Sequence, residues 1–182
     1  ELCKMEYSEV IRKRRTVRKY DASKKVTKEQ AEQVIAAASE APSWKNSQTG
    51  RYYCVISDEM CRRLREECLP EFNRERSENA VLIVTAFVHD RAGFDREGNP
   101  DNEVGNGWGF YDLGLQTENL VLKAADMGLA TLIMGIRDGE KLRDLLEIPE
   151  TETVVSVIAL GYPAESPERP KRKAVSDITK FF

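Results

Sequence analysis

The run Ala80-Val-Leu-Ile-Val-Thr-Ala-Phe-Val88 restricts the fold more than any other part of this chain. It is continuously apolar and β-branched, so a strand made from it leaves neither side to water. Such a strand suits the centre of a sheet covered on both faces. Trp108 to Met127 reads as the longest helix, with Leu113, Thr117, Leu120, Ala124 and Met127 on one stripe, widened by Val121 and Ala125. So broad an apolar face belongs inside the domain or against a partner chain.

The remaining elements follow from periodicity and punctuation. A first helix covers about Tyr7 to Lys13. Thr27-Lys-Glu-Gln30 is a capping box that opens a second helix, which carries Ala31, Val34, Ile35 and Ala38 at helical spacing. Pro42 stops it, and a loop runs to Gly50. Tyr52–Ile56 reads as a strand and Asp58–Cys68 as an amphipathic helix. His89 to Asn106 is polar, with Gly93, Gly98, Pro100 and Gly105, and reads as a long loop of the kind that is functional or mobile. Gly128 is a natural C′ residue for the long helix. A strand Leu129–Ile133, a helix from Asp138 to about Leu146 and a strand Thr153–Leu160 complete the order. It specifies an α+β domain, a mixed central sheet wrapped by helices, as a single unit over residues 1–182.

Composition narrows the function classes. The 182 residues suffice for one core, and the 41% hydrophobic and 32% charged shares are those of an ordinary soluble protein. With net charge −3 and pI about 5.5, a broad nucleic-acid footprint is not expected. Cys3, Cys54, Cys61 and Cys68 show no CxxC spacing. Cys61 and Cys68 lie roughly 10 Å apart along one helix, too far to bridge. Small buried or half-buried thiols are expected, and the single histidine, His89, has no companion at zinc-ligand spacing. No apolar run has membrane-spanning length and no signal peptide is visible, so a cytoplasmic location is the default. The start at Glu1 rather than Met leaves a removed leader open.

Two clusters carry chemistry. Arg14-Arg15-Thr16-Val17-Arg18 puts three guanidinium forks and a hydroxyl within five residues, a set that fits phosphate oxygens. Alone it reads as a solvated basic turn. Far downstream lies Ala41-Pro-Ser-Trp-Lys-Asn-Ser-Gln48. The segment Gly105-Asn-Gly-Trp-Gly109 is superficially like a phosphate loop, but it lacks GxGxxG spacing and follows no strand, which speaks against a Rossmann site. No Ser-His-Asp set or paired carboxylates stand out as catalytic.

Together the two clusters resemble the FMN-dependent nitroreductase family, whose members open with Arg-Arg/His-Ser-x-Arg/Lys and continue, after one helix, with Ala-Pro-Ser-x-x-Asn-x-Gln. The likeness extends through Asp21–Val34, Gly128-Leu129 and Gly161-Tyr162-Pro163. It implies a homodimer with a large helical interface, the C-terminal segment of each copy exchanged onto the other. The terminal Phe181-Phe182 agrees, because two exposed phenylalanines are unusual on a monomer. It implies FMN held by Arg14, Arg15 and Thr16 at the phosphate and ribityl chain, joined by Arg172 and Lys173 of the basic tail. Arg18 is the cation expected at the N1/O2 edge of the ring, where it stabilises the reduced form. Pro42, Ser43, Trp44 and Asn46 are expected along the flavin from the other subunit, Asn73 at the pyrimidine edge, and Met134 and Gly135 as backbone donors near N5. Two departures stand out: Gln48-Thr49-Gly50 replaces the commoner Gln-Pro-Trp, and Met134 stands where many relatives carry an acidic residue.

The implied activity is an NAD(P)H-dependent, ping-pong reduction of a small electron-poor acceptor such as a nitroaromatic or quinone, with neither nucleic acid nor membrane as partner. A dehalogenase-like or flavin-consuming reductase, or a flavin-binding protein without turnover, stays open beside it.

Overall fold

The computed structural model describes residues 6–182, so Cys3 lies outside the described residues. Its elements in chain order are α1 (Tyr7–Lys13), α2 (Lys28–Ser39), a short 3₁₀ turn (Trp44–Asn46), β1 (Gly50–Val55), α3 (Asp58–Cys68), α4 (Glu71–Arg76), β2 (Val81–Val88), α5 (Gly107–Asp126), β3 (Ala130–Met134), α6 (Gly139–Leu146), β4 (Glu152–Gly161) and α7 (Val175–Ile178). The four strands form one sheet in the order β1-β2-β4-β3.

Strand β2 lies inside the sheet, as its composition requires, and its alternate residues enter different cores. Leu82 and Val84 pack with Cys61, Leu64 and Cys68 of α3 and Leu142 of α6. Val81 and Ile83 pack with Val34 and Ala38 of α2 and Leu120, Val121 and Ala124 of α5. Two-residue alternation along a pleated strand thus gives one layer of helices on each face. The α+β architecture matches expectation. The sheet is not mixed in its strands, however: every strand pair is antiparallel, and among the described residues the parallel component reduces to one bridge, from Thr16 to Thr131 on the outer edge of β3. Orientation is set by long-range pairing, to which the local pattern is blind.

The capping box predicted at Thr27 is present in both directions, Gln30 N–H to Thr27 Oγ1 and Thr27 N–H to Gln30 Oε1. Gly128 follows the α5 cap with φ +74°, the left-handed conformation expected of a C′ glycine. Helix α5 reaches the sheet closely because Gly109 has no side chain: a Cβ there would sit 2.3 Å from the Phe87 ring. The segment 89–106 is folded rather than loose, with an antiparallel bridge between Phe94 and Pro100. Cys61 and Cys68 are buried, whereas Cys54, on the edge strand β1, is exposed, contrary to the expectation for it.

Candidate functional site

The arginine segment leaves α1 extended and is pinned to the sheet. Val17 N–H donates to Thr131 O at 3.1 Å, and Thr16 and Thr131 form a parallel bridge. Buried Val17 and Tyr20 anchor the segment in the core, and the Tyr20 hydroxyl donates back to Val17 O at 2.9 Å. Between these two anchors Arg18 and Lys19 are exposed, and Arg14, Arg15 and Thr16 ahead of them are half-buried. Arg14 and Arg15 line a cavity of about 220 Å³ with Val121 and Ala125 of α5, Gly128 to Thr131, and Glu165. Arg18 lines a separate cavity of about 740 Å³ with Tyr20, Glu75, Arg76 and Glu165, so a single copy does not gather all three arginines around one space. Among the described residues, no carboxylate lies within 4 Å of the three guanidiniums. Arg15 is held by the carbonyls of Arg12 and Arg14 (2.6 and 2.7 Å), and the Arg18 main-chain N–H donates to Glu165 Oε1 at 2.7 Å.

Strand β3 carries the site onward from Thr131. It is the edge of the sheet, and in an antiparallel ladder alternate residues turn their N–H and C=O groups to the same side. Thr131 turns outward to meet Val17, so Ile133, two residues on, turns outward too, where no strand pairs with it. Beyond it, Met134 is buried while Gly135 and Ile136 are exposed. Asn73 of α4 is itself buried and fixes this turn, its Nδ2–H donating to Ile136 O at 2.9 Å. Asn73 and the 134–136 segment, singled out separately in the sequence, therefore meet.

The Trp44 turn lies elsewhere. Trp44 N–H donates to Asp112 Oδ2 at 2.8 Å near the start of α5, whereas the arginine cavity touches Val121 near its end. Nine residues of helix, about 14 Å, separate the two. In this turn Lys45, Asn46 and Gln48 all adopt positive φ (48°, 53° and 48°), a conformation costly for lysine and glutamine and sustained by its surroundings. Ser43 Oγ accepts from Gln48 N–H at 3.1 Å, and Pro42 and Asn46 are exposed. Trp44 is half-buried, its ring centroid 4.5 Å from that of Trp108, and its Nε1–H donates to Asp101 Oδ2 at 3.0 Å.

Asp112 went unnoticed in the sequence because it sits beside Leu113 on the buried side of a helix read for its apolar stripe. Burial raises its carboxyl above the ordinary aspartate range, and the Trp44 N–H partly opposes that. Gln116, one turn on, is buried too and accepts from the Tyr52 hydroxyl at 2.7 Å. Arg172 and Lys173 are exposed and line neither arginine cavity; among the described residues the one side-chain bond of Arg172 is to Pro170 O at 3.2 Å. The tail beyond them, α7 included, exposes Val175, Ile178, Phe181 and Phe182. Among the described residues no group of three or more histidine, cysteine or acidic side chains could hold a metal ion, and no helix is long and apolar enough to cross a membrane.

Comparison with known proteins identifies this arrangement. A model of the nitroreductase family matches residues 11–162. A protein of Archaeoglobus fulgidus, provisionally named NADH dehydrogenase/NAD(P)H nitroreductase, is 28% identical over 160 residues, covering 86% of this chain and 84% of that protein. The crystal structure of a nitroreductase family protein from Clostridium novyi NT superposes with TM-score 0.73 and 26% identity, over 91% of this chain and 89% of that one. A provisionally assigned nitroreductase from Exiguobacterium sibiricum 255-15, solved in complex with FMN, shares the fold with TM-score 0.80 at 22% identity, over 98% of both chains. Arginine segment, β3 edge and Trp44 turn all fall within the matched residues, and the chain belongs to the nitroreductase family.

Proposed function

We propose that this chain is an NAD(P)H-dependent FMN oxidoreductase whose site is completed by a second copy. One observation carries the reading: the Thr16–Thr131 bridge lays an arginine segment, whose guanidiniums have no carboxylate partner among the described residues, along the open edge of β3. That edge runs from Thr131, beside a cluster of cationic forks, to the outward-facing backbone of Ile133, about 7 Å on at roughly 3.3 Å per residue, with exposed Gly135 just past the strand's end. This donor set fits a phosphate at one end and the heteroatom edge of a flat ring at the other. The FMN in the Exiguobacterium structure and the NAD(P)H in the name of the Archaeoglobus relative agree with it.

In this reading Arg14, Arg15 and Thr16 hold the phosphate through charge-assisted hydrogen bonds. The main chain at Ile133 to Gly135 meets the ring edge, with Asn73 keeping that turn in place. Arg18 supplies positive charge where negative charge builds on reduction. Pro42, Ser43, Trp44 and Asn46 cover the ring from the second copy, which accounts for their distance from the arginines within one chain. Arg172 and Lys173 reach the phosphate along with the tail, whose exposed apolar residues dock on that copy. The chemistry FMN supplies when bound is two-electron exchange: hydride in from NAD(P)H, two electrons out to an electron-poor acceptor, both substrates using one cavity in turn.

The test is spectroscopic. Anaerobic addition of NADH or NADPH to the FMN-loaded protein should bleach the yellow absorbance, and a nitroaromatic or quinone should restore it. Colour that persists with both dinucleotides would leave a flavin binder without turnover.

A further inference from the structure

At the end of the sheet where β1 begins and β2 finishes, the Trp44 turn and residues 91–96 enclose a cavity of about 540 Å³. Its walls include two aromatic side chains, Trp44 and Phe94, and four cationic ones, Lys45, Arg51, Arg91 and Arg96. The charges are not equivalent. Lys45 is neutralised by Asp101 at 2.7 Å. Arg51 is bonded to the carbonyls of Gln48 and Gly50 and lies 3.9 Å from Glu152. Asp95, the acidic group on the wall, is occupied by Asn99, which donates from its backbone N–H (2.8 Å) and Nδ2 (3.2 Å). Arg91 and Arg96 have neither a carboxylate within 4 Å nor a side-chain hydrogen bond among the described residues.

A second, independent feature adjoins them. Ser47 and Thr49 line the same cavity, and both hydroxyl oxygens are buried without a hydrogen-bond partner, Thr49 being 2% exposed. Unpartnered cations, unpaired hydroxyls and flat apolar walls in one pocket of a chain of net charge −3 select for a ring that bears an anion. A neutral ring would leave the guanidiniums without a counter-charge.

We propose that this cavity takes the anionic substituent of an aromatic electron acceptor, of the nitrobenzoate class. Arg91 and Arg96 face its carboxylate, and Trp44 and Phe94 flank its ring. The inference rests on the oxidoreductase reading, in which the Trp44 turn borders the flavin, and it specifies the acceptor that reading leaves general.

Calorimetric titration of the oxidised, FMN-loaded protein with para-nitrobenzoate and its neutral counterpart para-nitrobenzamide tests this without turnover. The benzoate should bind about tenfold more tightly, the ratio carried by one retained charge-assisted contact. In the Arg91→Gln/Arg96→Gln double variant that ratio should fall to near one, with benzamide binding and the melting curve unchanged. Equal binding of the two in the native protein, absence of binding by either, or a preference surviving in the variant would overturn the proposal. So would displacement of the benzoate by NADPH but not by NADH, which would give the arginines to a dinucleotide phosphate. Flavin bleaching by NAD(P)H in the same preparation reports separately on the oxidoreductase reading: an anion preference without bleaching would sink that reading and leave the cavity's selectivity standing.

Discussion

Asp112 occupies a buried position on α5 and spends its carboxylate on one backbone N–H, that of Trp44. Two effects oppose at this residue: burial disfavours the charge, and the bond from Trp44 N–H favours it. Asp112→Asn keeps an acceptor oxygen and sheds the desolvated charge. It should therefore leave the unfolding free energy within about 1 kcal/mol while loosening the Trp44 turn. Denaturant titration beside an FMN-release assay separates the two effects; large destabilisation with unaltered FMN retention would make Asp112 a plain structural residue. Arg14→Ala would remove the proposed charge-assisted contact to the phosphate, worth about 1.5–3 kcal/mol, and should cost roughly 10- to 100-fold in FMN affinity. Riboflavin, which has no phosphate, should bind both forms alike. Arg18→Ala should make bound flavin harder to reduce, and an unchanged potential would remove Arg18 from that role.

Among the elements, those with strong periodicity were legible in the sequence and those built on distant partners were not. Strand β2 and helix α5 came from hydrophobic pattern alone, and α2 from its capping box. Helix α4 was missed because Glu71-Phe-Asn-Arg-Glu-Arg76 offers one apolar residue in six and reads as a charged turn. It forms because Asn73 and Ser77 find partners in Ile136 O and in its own backbone. The strand order and the Thr16–Thr131 bridge join residues far apart in sequence and were equally invisible. The sequence supplies the residue types at both ends of the proposed site, but not the edge of β3 that lies between them. Packing between elements yields its own test at Gly109. Gly109→Ala would drive a methyl group into the buried Phe87 ring and should cost about 1–3 kcal/mol, read by urea denaturation. A neutral result would mean that α5 and β2 separate more easily than their packing implies.

Across the whole molecule, buried tyrosines bear on alkaline stability and the exposed tail on the proposed assembly. Burial, aided in Tyr53 by its bond to Glu152, pushes Tyr52 and Tyr53 up to about 12, and buried Tyr20 goes higher still. Unfolded tyrosine ionises near pH 10, so the folded state holds these protons more tightly than the unfolded one. Their contribution to stability is fully present below about pH 10 and is lost as pH rises towards 12. Tyrosinate absorbance should lag behind that of the denatured chain over this window, and overlapping curves would contradict the burial. The proposed assembly would depend on the tail. Removing residues 174–182, which expose Val175, Ile178, Phe181 and Phe182, should weaken dimerisation in light scattering.

The division of the site between two copies can be read directly by mixing variants. Arg14→Ala disables one half of the proposed site and Asn46→Ala the other, so each protein alone should hold FMN poorly. After subunit exchange, a mixed dimer pairs the native Arg14 of one chain with the native Trp44 turn of the other and should recover one FMN site. No recovery in verified mixed dimers would mean that both halves serve the same chain, and the two-copy site would be wrong.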